Sequence, residues 1–64
     1  MNKIKPEKRF VLTKDFKRGI INMKKGERGN TYGEDSYFIN IQFDCQNSLY
    51  AIPKHEFIDY ADIY

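Results

Sequence analysis

Two residues of this chain carry side chains suited to nucleophilic or general-base chemistry near neutral pH, Cys45 and His55. A thiol with an adjacent imidazole makes an activated nucleophile, provided a third group orients the base. Here the two fall in different segments and nothing nearby is placed to orient the ring. His55-Glu56 with Asp59 offers nitrogen and oxygen donors but lacks the spacing of a metal-ligand set. The expectation is a surface thiol and a surface histidine, with no catalytic set, no metal site and no cofactor.

Anion chemistry has more to work with. Lys24-Lys25-Gly26-Glu27-Arg28-Gly29 groups cations around two glycines whose amides can turn toward a phosphate. The pattern matches neither a P-loop nor a dinucleotide-binding fingerprint. Upstream, Arg9, Lys14, Lys17 and Arg18 surround Phe10 and Phe16. Cations interleaved with rings grip single strands by stacking and phosphate neutralisation. Phe16 is expected in a loop and exposed. A nucleic-acid contact would therefore use Lys14, Phe16, Lys17, Arg18, Lys24, Lys25 and Arg28.

Aromatic groups form the other candidate surface. Tyr32, Phe38, Tyr50, Tyr60 and Tyr64 exceed what one face of a small sheet buries, and exposed rings are enriched at protein interfaces. Phe38, Tyr50 and Tyr60 are the protein-binding candidates. The competing expectation is that the C-terminal segment covers the outer face, with Tyr60 or Tyr64 packing onto Phe38.

These side chains must be positioned by strands. From Tyr37 to Asp44, the residues Tyr37, Ile39, Ile41 and Phe43 alternate with Phe38, Asn40, Gln42 and Asp44. A period of two marks a half-buried β-strand with the first set on the core face. Arg9 to Thr13 reads as a first strand, with Phe10 and Leu12 on one face and Val11 on the other. Residues 15–19 read as a loop, Ile20 to Lys24 as a second strand, and Lys25-Gly26 as a turn. Arg28 to Thr31 opens a further strand in which Gly29 marks a bulge or a close backbone approach. Residues 32–36 read as a polar connection and residues 45–48 as a hairpin loop. Leu49 to Ile52 reads as a strand stopped by Pro53, residues 53–57 as one helical turn, and the tail from Ile58 to Tyr64 as a last short strand.

Size and charge bound the rest. Sixty-four residues with one cysteine allow one small domain and no internal disulfide, so stability comes from packing or from a partner. A basic lead-in is expected over residues 1–8, flexible and broken by Pro6, and the domain over 9–64. Residues 1–28 hold ten Lys/Arg against three acids, a balance of +7; residues 29–64 hold one against six, a balance of −5. Such asymmetry marks a steering face, unless the halves interleave in space and cancel. No stretch approaches the roughly 18 apolar residues of a membrane span, so no membrane partner is expected. Residues 1–9 lack the apolar run of a signal peptide. With one free thiol, the expected compartment is the cytoplasm. The wealth of Asn, Lys, Ile and Tyr fits an AT-rich coding genome, as of a low-GC bacterium or its phage.

The ordered set of Arg9–Phe16, the Lys25–Gly29 turn, Tyr37–Asp44 ending in Phe-Asp, and Tyr50–Phe57 with its Ala-Ile-Pro and helical turn resembles the small SH3-like barrels of bacteria and phages. That resemblance spans residues 9–58 and implies an all-β fold: a five-stranded antiparallel barrel with one helical turn near residues 53–57. It implies a fold more than a function. The chain has no tryptophan and no Ala-Leu-Tyr-Asp-Tyr-like segment, so recognition of proline-rich peptides is not expected. The functional expectation is a non-enzymatic interaction module, a small phage- or mobile-element-type regulator or inhibitor that docks on a host protein. A sheet edge also offers pairing to a second copy. The alternative is a nucleic-acid-binding barrel that uses the basic N-terminal half.

Overall fold

The computed structural model describes residues 5–64. Among them are β1 (Lys8–Leu12), β2 (Phe16–Arg18), β3 (Ile21–Met23), β4 (Arg28–Glu34), β5 (Phe38–Phe43), β6 (Tyr50–Pro53), α1 (Lys54–Phe57) and β7 (Ala61–Ile63). The strands form a five-stranded antiparallel sheet in the order β6-β5-β4-β1-β7 and a two-stranded hairpin, β2-β3. The chain is all-β, as expected. It is not a closed five-stranded barrel: β6 and β7 are the edges of the sheet and do not pair, and the hairpin is a separate sheet. No helix among the described residues is long and apolar enough to cross a membrane.

The alternation of β5 holds where the ladder holds. Ile39, Ile41 and Phe43 are buried, while Phe38 and Asn40 face water. β1 does the same, with Phe10 and Leu12 buried and Val11 on the other face. The centre is aromatic. Phe10 meets Phe43 and Phe57 edge-to-face at centroid distances of 5.4 and 5.0 Å, an arrangement worth more than the area it buries. Phe57, the last residue of α1, also meets Phe16 at 5.9 Å. One ring thus joins the sheet, the helical turn and the hairpin.

Gly29 is a close approach, with no bulge at it. It lies opposite Phe10 and Phe43, and a Cβ there would run into the Gln42 carbonyl and the Phe10 ring. The register shift lies further on, between Thr31 and Glu34.

Several boundaries differ from the sequence reading, each for a physical reason. β4 runs through residues 32–34, and the connection is only the bend that follows. Tyr37, expected in the core, is 55% exposed because the ladder begins at Phe38. Residues 16–18 form a strand instead of a loop, and Phe16 is 3% exposed. Three residues are too few to show a period of two, and Phe16 is buried by tertiary packing against Phe57 and Tyr60. Ile20, expected in a strand, sits in the hairpin turn and is 89% exposed. Residues 1–4 of the expected lead-in lie outside the described residues. Lys8 already belongs to β1, and the Glu7 amide donates to the Thr31 carbonyl.

Candidate functional site

Two exposed surfaces of different character remain once the core is set. The first is the corner where β4 turns into β5 against α1. Aspartate in a bend captures following amides with its own carboxylate. Asp35 does so twice: the Tyr37 and Phe38 N–H groups donate to its Oδ1 at 2.8 and 2.6 Å. The Asp35 N–H in turn donates to the Phe38 carbonyl at 2.9 Å. These bonds, first that from Phe38 and then that from Tyr37, hold the Asp35 carboxyl below its usual range, with Lys54 adding to the effect.

Lys54, the first residue of α1, closes the corner from the other side. Its amide donates to the Tyr37 carbonyl at 2.8 Å, and its Nζ donates to Glu34 Oε2 at 2.7 Å and to the Asp35 carbonyl at 2.9 Å. On this frame Tyr37 and Phe38 stand edge-to-face at 4.7 Å, with the His55 ring 6.0 Å from Tyr37. Phe38 remains 40% exposed. The corner presents two rings beside Glu34, Asp35 and Lys54, all hydrogen-bonded.

The other protein-binding candidates lie elsewhere. Tyr50 pairs with Ile41 and so points to the core side. Its ring meets Phe43 at 6.4 Å, and its hydroxyl donates to Gln46 Oε1 at 2.8 Å. Tyr60 packs on Phe16 at 5.2 Å with the Lys14 ammonium 5.7 Å above its ring. Phe38, Tyr50 and Tyr60 therefore do not converge on one patch. Neither tail tyrosine is found packed on Phe38: the Tyr64 hydroxyl accepts a bond from Arg28 at 2.6 Å, and the ring contact of Phe38 is Tyr37.

The second surface is the β2-β3 hairpin. It carries Lys14, Lys17, Arg18, Lys24 and Lys25 on one connection between β1 and β4, all exposed. Arg28 is apart from them, on β4. Phe16 offers no face to a base, because it is buried. Arg18 is paired with Glu56 of α1 at 3.2 Å, whereas no carboxylate pairs with Lys14, Lys17, Lys24 or Lys25 among the described residues.

Comparison with protein-family models, with curated proteins and with solved structures found no match to this chain.

Two smaller features carry reactive or polar groups. Cys45 and His55 lie at opposite ends of β5. Cys45 follows the Phe43 end and its thiol contacts Met23 Sδ at 4.0 Å, whereas His55 follows Pro53, which pairs with Phe38. The thiol is free and exposed. No group of three or more His, Cys, Asp or Glu among the described residues could hold a metal ion.

A shallow depression of about 250 Å³ is lined by Pro6, Glu7, Lys8, Arg9, Asn30 and Tyr64. Arg9, Asn30 and Tyr64 in its lining are already hydrogen-bonded. Arg9 holds Asp44 through two bonds, at 2.8 and 2.9 Å, and also donates to Asn30. The first consequence of that pairing is a raised Arg9 and a lowered Asp44 pKa. Its second is to tie the N-terminal half to the C-terminal half, as Arg18–Glu56 also does. The sequence-level charge asymmetry is thereby partly cancelled in space.

Proposed function

We propose that this chain is an SH3-like fold with an open sheet, serving as a non-catalytic docking module for a protein partner, with Tyr37 and Phe38 as its anchor. The fold reading is supported by the order β6-β5-β4-β1-β7, which sets the first and last strands side by side. A single helical turn between β6 and β7 adds to it. The functional reading rests on one observation. Two adjacent aromatic side chains stand in water on a backbone fixed by Asp35 and Lys54.

Rings held this way lose little freedom on binding, so most of the burial is retained as affinity. Covering the exposed half of each ring contributes about 2 kcal/mol. That is the scale of an interface hot spot. The ring pair suits an apolar pocket on the partner, and the adjacent Lys54–Glu34 pair forms a polar rim. In this reading the chain regulates or inhibits the protein it docks on.

The test is capture from a cell lysate by the immobilised wild-type chain and by the Tyr37→Ala/Phe38→Ala variant. Both side chains are exposed, so the variant keeps its circular dichroism and melting profile. A protein retained by the wild type and lost with the variant is then titrated as a purified pair, and each alanine is expected to weaken binding at least tenfold. A partner held equally by both chains overturns the anchor assignment. Self-association by wild type alone replaces the foreign partner with a second copy.

A further inference from the structure

The hairpin breaks a local rule. Its strands pair Phe16 with Met23, Lys17 with Asn22 and Arg18 with Ile21, leaving Gly19-Ile20 as a two-residue turn. Gly19 has φ +59° and, among the described residues, no non-glycine residue has positive φ, so the turn is of the II′ kind, whose twist suits a hairpin. The second turn position favours small polar residues. Here it holds a β-branched aliphatic residue, the most exposed of the large apolar side chains at 89%. A broken local rule with no packing gain points to function.

The apex sits on a rigid stem. Phe16, Ile21 and Met23 are buried. At the base, the Lys25 amide donates to Asp15 Oδ1 at 2.9 Å and the Gly26 amide to the Leu12 carbonyl at 2.9 Å. The outward face is cationic. Lys17 lies opposite Asn22, and the alternation of buried Ile21 and Met23 sends Lys24 outward as well. Lys17 and Lys24 are therefore diagonal neighbours on one face, with Lys25 next in the chain. Of the neighbouring acids, Glu56 is paired with Arg18 and the Asp15 carboxylate accepts the Lys25 amide.

We propose that the β2-β3 hairpin is a wedge for duplex DNA. Ile20 enters the minor groove and partly unstacks one base step, while Lys17, Lys24 and Lys25 take flanking phosphates. Isoleucine is among the side chains that serve as such wedges, and two-stranded ribbons fit DNA grooves. A single strand is disfavoured because it needs aromatic platforms, and the hairpin's one ring, Phe16, is buried. A bilayer is disfavoured by magnitude. One isoleucine offers a fraction of the apolar area of a myristoyl chain, which alone holds a protein on a membrane only marginally. This proposal concerns a different surface from the aromatic corner.

The experiment titrates the wild-type chain into a short end-labelled duplex with a central TA step, reading anisotropy for binding and end-to-end energy transfer for bending. Flexible pyrimidine–purine steps are the least costly to kink. Three neutralised phosphates give an affinity loss of about 40-fold between roughly 50 and 200 mM salt. Lys17→Ala should reduce the salt slope by about one unit and leave the bend in place. Ile20→Ser, an exposed change that leaves the fold intact, should abolish the bend and weaken binding about tenfold with an unchanged slope. Tyr37→Ala/Phe38→Ala should alter neither readout. No binding at the lower salt overturns the proposal. So does a bend that survives Ile20→Ser, and so does binding to phosphatidylserine vesicles without binding to the duplex.

Discussion

The β4–β5 corner and the β2-β3 hairpin both hold apolar side chains in water, but in opposite electrostatic settings. At the corner every nearby charge is engaged: Asp35 by two amides, and Lys54 by Glu34 and a carbonyl. On the hairpin, among the described residues, only Arg18 has a carboxylate partner. The contrast indicates what each surface can recognise. A neutral, preorganised ring pair gains from desolvation and is insensitive to salt. An apolar apex among unpaired cations gains from counterion release and is strongly salt-dependent.

The two regions also differ in how they are attached, and this gives the largest expected effect on the fold. The corner is part of the sheet. The hairpin is a separate sheet that packs on the shared core through Phe16, Ile21 and Met23, with the Phe16 ring meeting Phe57 and Tyr60. Phe57→Leu removes ring area at the point where hairpin, α1 and Phe10 meet. It is expected to cost about 1–2 kcal/mol, with several degrees lost in the melting midpoint. Amide exchange sharpens the comparison. Ile21 and Met23 should lose protection before Ile39 and Ile41, because the ladder of the large sheet does not pass through Phe57. Equal loss in both would show that the hairpin and the sheet open as one unit.

A smaller, local effect comes from pH. Asp35 titrates below the usual 3.8 of an aspartate because its carboxylate accepts the Phe38 and Tyr37 amides. The folded-state value is depressed, so the stabilisation is fully present above that usual value and is lost as pH falls through the folded value. Protonation removes the best acceptor of the corner and leaves the β2-β3 ladder untouched. Relative to intrinsic exchange rates, the protection of the Tyr37 and Phe38 amides should fall on acidification while that of the β2-β3 ladder stays unchanged. Asp35→Ala should produce the corner's acid behaviour at neutral pH, and a corner unaffected by that change would show that Lys54 alone holds it.

The corner and the hairpin were unequally legible in the sequence. The burial of Ile39, Ile41 and Phe43 follows from parity over six paired residues, and the same parity put Phe38 outside. Parity failed at Tyr37 because it does not say where a ladder begins. The signal that did was Asp35, a residue that bends the chain by recapturing amides. The hairpin was less visible. Phe16 is flanked by Asp15, Lys17 and Arg18, so local polarity reads as a loop, and only the rings of Phe57 and Tyr60, far along the chain, make it core. Once Phe16 is inside, Gly19-Ile20 becomes a turn, and the residue that looked like strand interior becomes the apex. Composition alone offers Tyr50 and Tyr60 as anchors, and composition carries no information on which neighbours a ring will find.

The smallest effect tests whether the Arg18–Glu56 pair, the polar link between hairpin and α1, matters to either region. Both side chains are nearly half exposed, at 43% and 48%, and the contact is 3.2 Å. Exposed pairs of this kind contribute about 0.2–1 kcal/mol, so Glu56→Gln should move the melting midpoint by no more than a few degrees. Its consequence for the hairpin is electrostatic. Without the carboxylate, Arg18 joins the unpaired cations beside Ile20, and one more phosphate becomes available to neutralise. The salt slope of duplex binding should steepen by up to about 0.9, while capture through Tyr37 and Phe38 stays the same. A slope that does not change would place Arg18 outside the DNA-facing surface and confine that surface to Lys17, Lys24 and Lys25.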